Sequence, residues 1–257
     1  MLKSSFRGSR RSAPLRRQTV YWIAAILTAL LAEAMLLTLP IPAEIGLAMR
    51  YNPLVPLVAM PLLLYPIYRR SESLAICLSF CLTLVLFTLP LSGLWNSGIS
   101  EFPTIVGGLF PTADGVNYYQ DARRILEGGK FGEISSGRPL FTAVLGTLLG
   151  LTHQNLQVTL AILATIATLS CFLLSREVQR THGTAAGLVT LAVIYLFYRR
   201  FAGAAWTESL GLPLGAVGFA LLWRGVDQSD RAYFCLVFSC FPWRSMPVPD
   251  RFSFCLR

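Results

Sequence analysis

Residues 73–94 read SLAICLSFCLTLVLFTLPLSGL. The stretch carries no charged side chain and is long enough to cross a bilayer core, which takes about 20 apolar residues in a helix. Inside hydrocarbon the backbone has no water to bond to, so such a segment must be helical. Comparable apolar runs lie at 19–39, 53–68, 139–152, 156–175, 184–198 and 207–223. The runs at 53–68 and 139–152 are short. The first of them holds Pro53, Pro56, Pro61 and Pro66, which predicts a kinked helix. The fold class expected is all-α: a polytopic membrane protein with about 6–7 transmembrane helices.

Composition points the same way. Of the 257 residues, 54% are hydrophobic and 14% are charged, with a mean hydropathy of +0.57. Soluble domains carry about 25% charged residues. A soluble globular enzyme, a disordered tail and a disulfide-rich secreted domain are therefore excluded. The net charge of +9 would suggest nucleic acid in a soluble chain. Here the surplus sits in short runs beside apolar segments, as membrane topology requires, and no motif for base or phosphate-backbone readout accompanies it. No nucleic-acid partner is expected. Cys77, Cys81 and Cys171 lie inside apolar runs, and no Cys/His metal spacing exists around them, Cys235, Cys240, Cys255, His153 or His182. Neither a metal nor an organic cofactor is expected.

Charge orders the chain. Residues 1–18 hold Lys3, Arg7, Arg10, Arg11, Arg16 and Arg17 without an acid, a basic cytoplasmic tail ahead of the first span. The membrane domain covers 19–225, and 226–257 form an atypical C-terminal tail. Arg69-Arg70 place the end of the 53–68 run in the cytoplasm, so the 95–137 loop falls on the outer face of a plasma (inner) membrane. Beyond it the rule conflicts with itself. Arg176 and Arg180 end one run, Arg199 and Arg200 end the next, and both sites cannot be cytoplasmic across a single span. The conflict turns on whether 139–152 crosses the membrane or only dips into it.

The outer loop holds Glu101, Asp114, Asp121, Glu127 and Glu133. Within it, ADGVNYYQDARRILEGG (113–129) has the period of an amphipathic interfacial helix closed by glycines. Val116, Tyr119, Ala122 and Leu126 form one stripe. Asp114, Asn117, Asp121 and Arg124 share another face. On spacing alone Asp114 is either a functional carboxylate or a cap for the first turn. Arg138 precedes Pro139 at a helix start and can face lipid phosphate or a phosphorylated ligand. Glu33 lies deep in the first run and reads as a helix-packing carboxyl; Glu208 opens the last run at the interface.

The run Asp114-Gly-Val-Asn-Tyr-Tyr-Gln-Asp-Ala-Arg123, then Arg138-Pro139-Leu140, then Thr207-Glu208 resembles the integral membrane glycosyltransferases of the C-type superfamily. The nearest look is the bacterial protein-mannosyltransferase-like and aminoarabinose-transferase-like group, over roughly 75–225. The resemblance implies a polyprenyl-phosphate-linked sugar donor and an inverting transfer to a lipid, glycan or protein acceptor at the outer face. It implies that Asp114 is the catalytic base, and that Arg138 holds the donor phosphate. It also implies that Asp121 and Glu208 stand at substrate-binding positions; Asn117 and Arg124, which share the face of Asp114 and Asp121, are expected to bind substrate with them. The chain departs from the pattern at Gly115, where a second acid or polar residue is usual, and at Leu140, where a second proline is usual. It also departs in having two apolar segments before the catalytic loop. The alternatives to a transferase are a non-catalytic membrane scaffold or assembly protein and a transporter component.

Residues 231–257 show no helical period, and the expectation is a frameshifted or truncated product whose authentic sequence ends near Asp230. Reading the gene across the codons for 225–257 in three frames checks this. A second frame encoding further apolar segments is expected, and a tail shared with close relatives would dismiss it.

Overall fold

The computed structural model describes residues 41–70 and 73–228, with the isolated helical positions Leu27, Leu30, Leu31, Ala34 and Thr38. The basic tail, Glu33, most of the 19–39 run and the C-terminal tail with Cys235, Cys240 and Cys255 lie outside the described residues. The described chain is helical apart from one short hairpin. Its helices are α1 (Ala43–Tyr51), α2 (Leu54–Tyr68), α3 (Ser73–Ser97), α4 (Asp114–Leu126), α5 (Glu133–Gly137), α6 (Pro139–Leu151), α7 (Leu156–His182), α8 (Thr184–Tyr198) and α9 (Glu208–Gln228). Strands β1 (Ile105–Val106) and β2 (Phe110–Pro111) pair antiparallel, Val106 opposite Phe110. Three helices, α3, α7 and α9, are long and apolar enough to cross a membrane, and α1 with α2 makes a fourth if the bent pair is one span. Helices α6 and α8 are shorter apolar helices.

The apolar runs read from the sequence reappear as helices, with local chemistry setting their ends. Helix α6 starts at Pro139, whose missing N–H costs nothing in a first turn. The Asn155 side chain accepts the Val158 N–H at 3.1 Å and so caps α7. Arg180 and His182 occupy the last turn of α7, where cations meet the negative end of the helix dipole. The prolines of the second run do not break α2, which runs through Pro61 and Pro66. The bend, of 105°, falls at the break between α1 and α2.

Helix α1 was not among the apolar runs. It lies against α3 through a glycine pair. A Cβ on Gly46 would stand 2.3 Å from the Leu89 carbonyl oxygen and 2.6 Å from the Gly93 Cα, so the two backbones touch directly. The main core joins α2, α3, α7 and α8. Phe87 stacks on Tyr198 at 4.8 Å and meets Tyr195 edge-on at 5.0 Å, while Phe172 meets Tyr68 and Phe80. Within it Tyr68 Oη and Ser175 Oγ lie 2.6 Å apart, and Ser175 Oγ donates to the Gly187 carbonyl at 2.7 Å.

These contacts sort the chain into two ends. At one end Gln179 Nε2 donates to the Tyr68 carbonyl at 2.6 Å, Trp223 Nε1 donates to Thr181 Oγ1 at 2.8 Å, and Arg180 pairs with Asp227 at 3.0 Å. Arg69, Arg70, Arg176, Arg180 and Arg224 gather there. At the other end lie α1, the hairpin, α4, α5 and residues 199–207. Helix α7 starts at this second end, because Leu156, Leu160 and Leu163 pack with Tyr118, Phe141 and Ala205. Helix α6 lies beside α4, Gly146 against Ala122 and Gly150 against Leu126, and runs parallel to it. It leaves from the end where α3 finishes and returns to the end where α7 begins. The 139–152 run therefore does not carry the chain from one end to the other.

Substituting Gly46→Val is expected to destabilise the chain by about 3 kcal/mol or more, since backbone on both sides leaves the added methyls no room. A clear fall in the thermal unfolding midpoint in detergent checks it. An unchanged midpoint would mean that α1 does not pack on α3 as described.

Candidate functional site

Asp114 is the first residue of α4 and is exposed, with no hydrogen-bond partner among the described residues. It is not the cap. That position belongs to Ala113, whose φ of 47° and ψ of −128° lie in a region that non-glycine residues rarely adopt. Strain of this kind costs of order 1–3 kcal/mol and is held only by the surroundings. Gly115 supplies them. A Cβ there would meet Pro111 Cβ at 3.0 Å and Trp206 Cδ1 at 3.3 Å. A glycine at 115 thus has a steric cause: the start of α4 is pressed onto Trp206, next to the start of α9.

The stripes expected along α4 are shifted by about one residue. The buried positions are Gly115, Tyr118, Asp121 and Ala122, which face α6 and α7. Val116 and Tyr119 instead line an open groove of about 480 Å³, walled by Phe110 and Pro111 together with Arg123. The shared polar face divides accordingly. Asn117 is half-buried and lacks a hydrogen-bond partner among the described residues. Asp121 is buried and committed: Oδ2 accepts the Gly132 N–H at 2.9 Å, and Oδ1 pairs with Arg124 Nη1 at 2.9 Å. These bonds tie the 127–132 turn back onto α4, so Asp121 and Arg124 have structural partners in this chain.

Arg138 is exposed at the start of α6. Its Nη1 donates to the phenol oxygen of the buried Tyr118 at 3.3 Å, and Tyr118 rests edge-on against Phe141. Arg138 and Thr207 line opposite sides of a groove of about 210 Å³, floored by Phe141, Leu210 and Leu214. Glu208, exposed, accepts from its neighbour Thr207 at 3.3 Å and edges a separate apolar groove between α7, α8 and α9. Three helix starts therefore converge: α4 touches Ala205–Trp206, and α6 and α9 share a groove. Helix starts carry partial positive charge, and Arg138 adds a full one. Arg138 faces the groove shared by α6 and α9, Glu208 edges a separate one, and Asp121 and Arg124 are turned to local structure. No cluster of His, Cys, Asp or Glu among the described residues has metal-binding geometry.

Sequence reasoning missed the most heavily bonded group at this end. Arg50, at the end of α1, is 3% exposed. Its Nη1 donates to the carbonyls of Arg199 and Ala202 at 2.8 Å each, and Nη2 to that of Arg200 at 3.2 Å. Its Nε and Nη2 donate to one oxygen of Glu101 at 3.1 and 2.9 Å, and Tyr51 Oη donates to the same oxygen at 2.9 Å. Arg199 answers by donating from Nη1 to the Arg50 carbonyl. The one available signal was an arginine and an acid within the short AEIGLAMRY stretch (43–51) between apolar runs.

Comparison with protein-family models, with curated proteins and with solved structures finds no match to this chain.

Replacing Asp121 by Ala leaves the Gly132 N–H without its acceptor and is expected to cost about 1–3 kcal/mol, whereas Asp121→Asn keeps an acceptor and costs less. Trypsin cleavage at Lys130 reports the turn. It should speed up in Asp121→Ala; equal rates in both variants would remove the structural role.

Proposed function

We propose that the chain is an integral membrane glycosyltransferase, or the N-terminal part of one, that moves a sugar from a polyprenyl-phosphate donor to a lipid, glycan or protein acceptor. The observation that carries the proposal is the convergence of the starts of α4, α6 and α9. These starts carry Asp114, Arg138 and Thr207-Glu208, which stand far apart in the sequence and which the resemblance to C-type glycosyltransferases singles out as one site.

In this reading the exposed Asp114 carboxylate takes the proton of the acceptor hydroxyl or amine as its oxygen or nitrogen attacks the anomeric carbon. The new bond to that carbon forms as the bond to the donor phosphate breaks, with inversion, and the bonding pair leaves on polyprenyl phosphate. Arg138, held by Tyr118, and the partial charges of the helix starts stabilise the departing phosphate. No metal is invoked in any step.

The topology proposed with it has six spans: residues 19–39, α2, α3, α7, α8 and α9, with α6 and α4 at the outer interface of the plasma membrane and the N-terminus in the cytoplasm. The gathering of Arg69, Arg70, Arg176, Arg180 and Arg224 at one end supports it, because cytoplasmic ends carry such an excess. Arg199 and Arg200 then lie outside. Arg199 is buried and bonded to α1, so its position follows packing and not the charge rule.

A second reading, a membrane scaffold without catalysis, draws on the structural commitment of Asp121 and Arg124. One substitution separates the two. Asp114→Asn should lower transfer from undecaprenyl-phosphate hexose or pentose donors in membranes by about 10²–10⁴-fold while the thermal midpoint stays put. Transfer undiminished by that change would favour the scaffold.

A further inference from the structure

The groove of about 480 Å³ between the hairpin and α4 takes no residue from α3, α7 or α9. Its size lies within the range of about 300–1,000 Å³ usual for small-molecule sites. The grooves at Glu208 and beside Trp223 are lined mainly by apolar side chains of the spanning helices, as contact with lipid requires. This one mixes rings with polar groups. Phe110, 60% exposed, and Pro111 form one wall. Val116, Tyr119, Gln120, Arg123 and Glu127 form the other, spaced along one face of α4.

Arg123 is oriented from outside the groove. Its Nε donates to Gln154 Oε1 at 3.1 Å, and its guanidinium lies over the Tyr119 ring, 5.9 Å from the centroid. Gln154 is itself held in a left-handed turn, at a φ of 61°, by its N–H bond to the Leu149 carbonyl at 2.7 Å. The Nη donors of Arg123, the Gln120 amide and the Glu127 carboxylate have no hydrogen-bond partner among the described residues. Arg124, which also lines the groove, is paired with Asp121.

We infer that this groove binds the ring of a neutral saccharide. An anion would suit Arg123 but meets the Glu127 carboxylate, and a cation would suit Glu127 but meets Arg123. A hydroxyl both donates and accepts, so it satisfies the arginine, the amide and the carboxylate alike. A purely apolar ligand would strip water from all three and return nothing. A sugar ring also carries a face of C–H groups, which fits against the negative face of an aromatic ring, and Phe110 offers such a face in the open. Fixing Arg123 in advance removes part of the ordering cost of binding. The inference stands without the transferase reading, because it uses none of Asp114, Arg138 or Glu208 and requires no transfer.

The test uses the full chain in dodecyldimethylamine oxide, a detergent that contains no sugar. Saturation-transfer NMR is run with maltose, mannobiose, xylobiose and diacetylchitobiose, and with two controls. Sorbitol has the hydroxyls without the ring, and glucuronate adds a negative charge. At least one disaccharide should show saturable transfer, concentrated on the C–H protons of one ring, and neither control should match it. Arg123→Gln, Glu127→Gln and Phe110→Ala should each weaken that binding about tenfold or more, whereas Tyr119→Phe and Arg69→Gln, the latter at the opposite end, should match the wild type. These side chains are exposed or half-buried, and an unchanged thermal midpoint shows that each variant is folded. No saturable transfer to any of the four disaccharides, equal transfer to sorbitol, glucuronate bound as tightly as the neutral sugars, or undiminished binding in the Arg123, Glu127 and Phe110 variants overturns the inference.

Discussion

Two helices of this protein end on each other's arginine. The last carbonyls of an α-helix have no partner within the helix, and away from water each must find one. Arg50, at the end of α1, meets the carbonyls of Arg199, Arg200 and Ala202 just past the end of α8, and Arg199 meets the carbonyl of Arg50 in return. Each cation also sits at the negative end of the other helix's dipole. Arg50 uses every one of its five N–H donors in this way, three on carbonyls and two on Glu101. Removing one partner of such a buried pair typically costs about 3–5 kcal/mol, because a charge is left without compensation. The lock fixes the height of α1 against α8, and through Glu101 the height of the hairpin.

From that fixed end the rest of the layer of α4, α6 and the hairpin follows. Residues 203–206 leave the lock and run directly under α4, where Trp206 meets Gly115. Helix α6 is pressed beside α4 by Gly146 and Gly150, which let apolar surface approach closely. Tyr118 then reaches Arg138 from below. The candidate site is thus assembled from segments that are distant in sequence, each set by backbone approach at a small residue. Its geometry belongs to the layer and not to any single loop.

The helices were legible because their signal is local. An uncharged run such as 73–94 states its own conformation and environment, and Pro139 and Asn155 mark helix starts where they stand. The starts of α4, α6 and α9 lie near one another, through Gly115 on Trp206 and the groove shared by Arg138 and Thr207. Three things were not legible. Helix α1 is short and carries Glu44 and Arg50, so hydropathy does not raise it above a loop. The face of α4 was read one residue out, because Asp121 counts as polar by type but is buried by its bonds to Gly132 and Arg124. The arginine lock joins residues 149 positions apart, and no periodicity or charge count reports a contact of that range. The same contact explains why the charge rule contradicted itself at Arg199: a buried arginine bonded to carbonyls records a packing requirement.

That separation also has a consequence for how the chain is made. A ribosome delivers α1 long before α8, so Arg50 is made while the carbonyls that will receive it do not yet exist. Until α8 has been inserted, the cation must be kept hydrated at the membrane surface, with Glu101 as its first available companion. The bend between α1 and α2 suits this interval, since it lets α1 rest along the surface and settle against Gly93 later. This end of the molecule is therefore closed late, by a helix from the second half of the chain. A nascent protein halted before residue 199 would carry a finished set of early spans beneath a lid that has nothing to latch onto.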